Sequence, residues 1–257
     1  MTRLPRESQG VIDFDYRVIS GVEEARRAVK QASYEGADWI KVVVAANGRS
    51  PSLSLDELKA IVDESHRANL KVAAHTDRGE AAQVAVEAGV DSIEHGWGIT
   101  HGVLDLMASK KIYLIPTDVT ARAFTDLGHP DRAVVEHYEK RESENGDRLR
   151  YAMKIGVPIA AGSDMTQPIH GQDRGHSSME MFRSYRGAGL SGIEIIRMAT
   201  AAAARLLGWQ DRVGSIDTGK FADLIAVQGN PLQDISELER VTFVMKGGQI
   251  VKEHTQP

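Results

Sequence analysis

The chain has 257 residues, 42% of them hydrophobic and 26% charged, a composition typical of a soluble globular protein with one large α/β domain. Its net charge of −5 gives no basis for nucleic acid binding, and its lack of cysteine excludes disulfides, thiolate metal sites and a cysteine nucleophile. No apolar stretch has the character of a signal peptide or a membrane span, so the sequence predicts a cytoplasmic protein without a membrane partner.

The chain begins with an atypical segment, residues 1–20. From Val11 to Ile19 apolar and polar residues alternate one by one. This period of two favours a strand. The segment is predicted to serve as a substitute strand at the start of the sheet; the alternative is that it corresponds to a loop before the first recognisable strand.

Residues 21–208 alternate helical patterns with short apolar runs, which is typical of parallel strands in βα units. Strands are predicted at 37–46, 70–75, 90–95, 111–116 and 157–161. Helices are predicted at 22–35, 54–68, 79–88, 101–109, 177–188 and 192–207, and a polar stretch at 128–146 is predicted as a loop that passes into a helix before Gly156. Ser54 and Glu57 have the spacing of a capping box.

Polar side chains lie in or at the ends of four of these apolar runs, namely Lys41, His75, His95 and Asp164. Barrel enzymes keep their chemistry at the carboxyl ends of parallel strands. Two imidazoles and a carboxylate suit a divalent transition metal. Each residue also has a structural alternative: a lysine that extends to solvent, histidines hydrogen-bonded in the core, and an aspartate that caps a turn.

After Gly208 the pattern changes. Short β-type runs at 222–227, 241–245 and 249–251 are separated by Gly-Asn-Pro and Gly-Gly turns. Residues 209–257 are therefore predicted to form a small antiparallel β appendage.

Several motifs, in order along the chain, resemble the amidohydrolase superfamily, and most of all its imidazolonepropionase-like and prolidase-like branch. They are A-D-W-I-K (37–41), V-A-A-H-T (72–76), A-G-V-D-S-I-E-H-G (88–96), I-P-T (115–117) and A-G-S-D-M (161–165). The resemblance implies an N-terminally truncated chain with an incomplete TIM-type (β/α) barrel, in which about five of the eight strands are recognisable. It also implies that residues 209–257 are a remnant of the family's β-sandwich.

The resemblance assigns a role to each strand-end residue. Lys41 matches a lysine whose N6 is carboxylated to bridge two metals, and His75 and His95 match metal ligands. Asp164 matches an aspartate that binds metal and moves protons. The family's His-X-His pair has no match, which implies one divalent metal, or two held with unusual ligands; zinc is the expected ion.

A substitute ligand is suggested by G-V-I-D-F-D-Y-R (10–17), which echoes the family's first-strand phrase. In that alignment Asp15 and Arg17 lie where the histidines would be. Asp15 would then supply an oxygen ligand; the alternative is chance similarity.

The expected function is a metal-dependent hydrolase that cleaves a small amide, lactam or ester, including activated esters such as phosphotriesters. A metal-bound hydroxide would attack, with Asp164 as the general base and acid. Candidate substrate-binding residues are His170, His176, Trp97 and Arg174, while Thr117, Asp118 and Met165 are further pocket candidates by position. For His170 and His176, a plain loop role is the alternative.

Two other functions remain open at this stage: a catalytically inactive remnant or subunit that requires a partner chain, and a non-enzymatic binding protein. An incomplete barrel leaves two sheet edges, which a closed barrel does not have. We therefore expect a homo-oligomer, a dimer or higher, that completes the sheet.

Overall fold

A computed structural model describes residues 17–45, 53–126, 131–166 and 168–253. Asp15 and most of the alternating segment 11–19 lie outside these ranges. The described part of that segment has no strand pairing. Arg17 instead forms an ion pair with Glu35, with 2.9 Å between nitrogen and oxygen.

The first half of the fold alternates helices and strands as the sequence predicts. Its elements are α1 (Val22–Tyr34), β1 (Trp39–Ala45), α2 (Leu55–Arg67), β2 (Lys71–Thr76), α3 (Gly79–Ala88), β3 (Ser92–His95), α4 (His101–Lys110) and β4 (Tyr113–Ile115). The strands form a parallel sheet in the order β1-β2-β3-β4. The predicted capping box at Ser54 and Glu57 opens α2.

The predicted fifth strand, 157–161, is reduced to one bridge. Ile159 pairs in parallel with Leu114, through hydrogen bonds from the Leu114 amide to Pro158 O (2.9 Å) and from the Ala160 amide to Leu114 O (3.2 Å). Proline has no amide hydrogen, so Pro158 cannot donate to a ladder. Among the described residues, β1 pairs with β2 alone, so the sheet is open at that edge.

Helices dominate the region between the two sheets. They are α5 (Ala121–Asp126), α6 (Arg132–Ile155), α7 (Arg174–Ser178), α8 (Glu180–Gly187), α9 (Gly192–Arg197), a π-helical stretch (Met198–Ala202) and α10 (Ala203–Leu207). None of the helices among the described residues is both long and apolar enough to cross a membrane.

Two helix boundaries differ from the sequence prediction. The polar stretch 128–146 is helical from Arg132 onward because Asp131 accepts a hydrogen bond from the Ala133 amide and so caps α6. The helix predicted at 177–188 is two helices, and the first starts earlier because Asp173 accepts from the His176 amide. In both cases a polar capping residue sets where the helix begins, and this position differs from the sequence prediction.

The two faces of the sheet have different environments. In β2 the outward-facing Val72 and Ala74 are fully buried beneath the helices, whereas the inward-facing Ala73 and His75 are only partly buried. Lys41, on the inner face of β1, is exposed. The inner face is therefore open to solvent in the described part of the chain.

The C-terminal region is the predicted antiparallel appendage. It consists of β5 (Leu224–Val227), a 3₁₀ helix (Ile235–Glu239), β6 (Val241–Lys246) and β7 (Gln249–Glu253), paired in the order β5-β6-β7. The segment before the 3₁₀ helix packs closely on α9: a Cβ added at Gly192 would lie 2.5 Å from Pro231 O.

Candidate metal centre

The carboxyl ends of the strands have an unusual backbone. His95, Thr117 and Asp164 have positive φ angles of 67°, 53° and 47°. This region is uncommon for residues other than glycine, and for a β-branched residue such as threonine it is an outlier. Two other described residues, Asn69 and Lys111, share this conformation just after helices, so three of five such residues lie at the edge that the motifs indicate. Strained residues cluster at functional sites.

His75 and His95 meet at this edge. Their rings make an edge-to-face contact with centroids 4.4 Å apart, and His75 Nδ1 lies 2.7 Å from His95 Nε2. Asp164 Oδ2 lies 3.9 Å from the same Nε2. Three of the four predicted strand-end residues are therefore together.

Both imidazoles are held in the neutral form. Burial is the largest effect lowering the pKa of His95, to about 3, and the positive charges of nearby side chains lower it further. Burial and the Lys41 charge likewise lower the pKa of His75. Neutral imidazole is the form that binds metals, so neither ring needs to lose a net proton first.

Lys41 faces the same open interior. Its side chain as a whole is exposed, but the protein atoms around its amine partly desolvate it and lower its pKa, while the carboxylates of Glu94 and Asp164 raise it. A lowered pKa favours the neutral amine that reaction with carbon dioxide needs. Strand register pairs Val43 with His75, so Lys41 lies two residues further from the strand ends on the same face.

Glu94 is a residue of this site that the sequence analysis did not single out. Strand register pairs it with His75, which places it on the inner face. Burial raises its pKa, the Lys41 charge lowers it, and it accepts a hydrogen bond of 2.7 Å from Ser92 Oγ. The sequence feature that could have indicated this residue is its position in the motif I-E-H-G, next to His95.

Arg148, on α6, was also missed. Its side chain is 4% exposed; Nη1 donates to His95 O and Nη2 to Asp118 Oδ2, both at 2.5 Å. The Asp118 side chain is 3% exposed. The buried guanidinium of Arg148 thus links the Asp118 carboxylate to the backbone carbonyl of His95. A lone arginine within a charged helix carries no sequence signal for this role.

The predicted substrate-binding residues have different surroundings. The Trp97 ring packs on that of His95, with centroids 4.7 Å apart. Arg174 Nε donates to Met165 O (3.0 Å), His176 Nδ1 pairs with Asp173 Oδ2 (2.8 Å), and His170 is exposed. Trp97 therefore lies at the site, and a substrate role for the other three stays a prediction.

Trp97 also lines a cavity of about 680 Å³. Basic and acidic side chains both line it, namely Arg78, Lys140 and Arg141 together with Asp77 and Glu144, and His137 lies there as well. The Arg141 guanidinium stacks on the Trp97 ring, 3.5 Å from its centroid. The volume is in the range that holds small ligands.

The donor set fits a divalent metal in kind, since it combines two neutral imidazoles and a carboxylate. Among the described residues, however, no group of three His, Cys, Asp or Glu side chains is already close enough to hold an ion. The arrangement is two converging nitrogens with a carboxylate nearby.

Comparison with known proteins agrees with these features. The model of the amidohydrolase family matches residues 7–251. The chain belongs to the amidohydrolase family. This confirms the resemblance found in the motifs, and members of the family are generally metal-dependent.

Two kinds of relative of this amidohydrolase are informative. The ochratoxinase of Aspergillus niger is 33% identical over 249 residues, which cover 91% of this chain and 50% of that enzyme. A crystal structure of a Xaa-Pro dipeptidase with bound methionine has a TM-score of 0.78 and 33% identity, over 96% of this chain and 64% of that one. A prolidase complexed with N-methylphosphonate-L-proline has a TM-score of 0.80 and 32% identity, over 98% and 64% of the two chains.

These amidohydrolases are longer than this chain, which spans half the length of the ochratoxinase and under two thirds of the two peptidase chains. The described α/β architecture with its parallel sheet agrees with the fold of these neighbours.

Proposed function

We propose that this chain is a metal-dependent hydrolase of small amides, and of lactams or esters of similar size. The observation that carries the proposal is the pair of neutral nitrogens, His75 Nδ1 and His95 Nε2, only 2.7 Å apart at the strand ends, with the Asp164 carboxylate 3.9 Å from one of them. Of these three groups, Asp164 is exposed and His75 is partly buried, so a substrate can reach them, whereas His95 is buried beneath them.

The ligands of the metal would be His75, His95 and Asp164. Lys41 would join them after its amine has reacted with carbon dioxide to form an anionic carbamate. When bound, a divalent metal supplies Lewis acidity, which polarises a carbonyl and makes water acidic near neutral pH. Zinc, as one or two ions, remains the expected metal.

Asp164 acts as the proton carrier. Its side chain is 61% exposed, so it reaches solvent and substrate alike. It takes a proton from the attacking water and delivers it to the leaving nitrogen or oxygen.

The substrate that fits best carries a free carboxylate next to the scissile amide. Relatives named as dipeptidase and prolidase act on peptides, and a carboxylate pairs well with a guanidinium. The half-buried Arg141 offers one, because its side chain lines the same cavity as Trp97. A dipeptide is small enough for that cavity.

Substitution Arg141→Met is expected to raise KM for a dipeptide about 10–100-fold, because a charge-assisted hydrogen bond of about 1.5–3 kcal/mol is lost. KM for the dipeptide amide, which has no carboxylate, should change little. Steady-state kinetics with the two substrates measure the difference. Arg132→Met on the same helix is the control, since Arg132 lies on the surface and pairs with Glu136. Equal losses for both substrates would contradict carboxylate recognition.

Metal analysis of the purified chain tests the function itself. Wild type and Lys59→Ala, an exposed lysine on α2, are expected to hold at least one metal per chain, whereas Lys41→Ala should lose metal and hydrolysis together. Elemental analysis and assays with ester, lactone and dipeptide panels provide the measurements. Metal-free wild-type protein without hydrolysis would favour an inactive remnant.

A second candidate function is a subunit that needs a partner chain. The open inner face favours it, because Lys41 is exposed there. We propose that a second copy of the chain covers this face. A sedimentation experiment that finds a monomer with full activity would exclude both the partner requirement and the homo-oligomer.

A further inference from the structure

Thr117 makes two hydrogen bonds with one hydroxyl. Its Oγ1 donates to Pro116 O at 2.7 Å and lies 2.7 Å from His95 Nδ1. A hydroxyl has one hydrogen and two lone pairs. Since that hydrogen points to the proline carbonyl, which can only accept, Oγ1 has only lone pairs to offer to the histidine.

We infer that Thr117 sets the tautomer of His95. The neutral ring must carry its hydrogen on Nδ1 to donate to the threonine oxygen, which leaves Nε2 with a bare lone pair. Nε2 is the nitrogen that faces His75 Nδ1 at 2.7 Å and Asp164 Oδ2 at 3.9 Å. Thr117 is therefore a positioning residue: it presents the lone pair of His95 to the centre of the site.

The His75 hydrogen bond agrees with this assignment. If His95 Nε2 has no hydrogen, the hydrogen between the rings belongs to His75 Nδ1, which donates across the 2.7 Å contact. One ring is then a donor and the other an acceptor, as a hydrogen bond requires. The opposite tautomer of His95 would leave Nδ1 and Thr117 Oγ1 facing each other without a hydrogen between them.

The backbone holds both partners of the Thr117 contact. Thr117 has a φ of 53°, and its neighbour Asp118 is tied to Arg148, whose other nitrogen holds His95 O. One buried guanidinium therefore fixes the distance between the ring and the hydroxyl. This explains how a strained threonine is kept in place.

The test compares Thr117→Val with Thr117→Ser. Valine keeps the shape and β-branching, so backbone strain is matched, but it removes the hydroxyl; serine keeps the hydroxyl. In ¹⁵N NMR of metal-free protein, wild type and Thr117→Ser are expected to show a protonated Nδ1 and a bare Nε2 for His95. Thr117→Val should show a mixture or the opposite tautomer. A protonated Nε2 in wild type, or an unchanged tautomer in Thr117→Val, would overturn the inference.

Metal affinity provides a second measurement, and this part rests on the proposed function. Loss of a hydrogen bond that orients a ligating histidine costs about 10–100-fold in affinity. Titration calorimetry with zinc should show this loss for Thr117→Val and less than about a threefold change for Thr117→Ser. Equal affinity of the valine variant would overturn the positioning role. If wild type binds no zinc while its tautomer is as expected, the proposed function fails and the tautomer assignment stands. If the valine variant does not fold, the wild-type spectrum still decides.

Discussion

Replacement of Asp164 by asparagine is expected to lower kcat by about 10²–10⁴-fold, the usual contribution of a general acid and base. The amide cannot accept a proton from water or pass it to a leaving nitrogen. Asparagine tolerates the left-handed backbone conformation well, so the φ of 47° at this position should be kept. The measurement is a steady-state assay with a dipeptide or an activated ester, together with the melting temperature.

The control for this variant is Asp63→Asn. Asp63 lies on α2, its side chain is 64% exposed, and it forms an ion pair with Arg26 at 3.8 Å. The activity of this variant should stay within about twofold of wild type, because a surface substitution away from the site has little effect. Full activity of Asp164→Asn would contradict the proposed proton carrier.

Substitution Arg148→Met is expected to destabilise the fold by about 3–5 kcal/mol, because it leaves the buried Asp118 carboxylate without its counter-charge. For a domain of this size, this corresponds to a fall in melting temperature of about 6–20 °C. The same substitution frees the His95 carbonyl, so zinc affinity should fall as well. Differential scanning calorimetry and zinc titration below the transition measure the two effects.

Two further variants separate a charge effect from loss of packing. Arg132→Met breaks an exposed ion pair on the same helix and should cost less than about 1 kcal/mol. The double variant Arg148→Met/Asp118→Leu removes both buried charges and should regain part of the lost stability. A double variant less stable than Arg148→Met would refute the view that an uncompensated Asp118 causes the loss.

Much of the site was predictable because its chemistry is local in sequence. His75 and His95 each close a short apolar run, and parallel strands bring their ends to the same edge. The periodicity of the sequence predicts the strands, and the motifs predict that Lys41 and Asp164 belong to the same site as the two histidines. Of these, the structure brings Asp164 close to His95.

The rest depended on contacts between distant residues. Arg148 lies 53 positions from His95, and nothing in the pattern of α6 distinguishes it from its charged neighbours. The strand at 157–161 failed for a local reason, since Pro158 lacks a ladder donor. The start of α6 depended on a cap at Asp131, which a polar, charge-rich stretch conceals.

The long helix α6 carries Arg141, Asn145 and Arg148 at spacings of four and three, which places them on one face. Helix α6 therefore carries both Arg141, the proposed substrate contact, and Arg148, which holds the backbone carbonyl of His95. A shift or rotation of this helix would therefore displace Arg141 and Arg148 together. Evolution toward a new substrate is therefore expected to proceed by exchange of the side chain at position 141, with the helix axis conserved, and relatives with different specificities should differ there more than in the path of the helix.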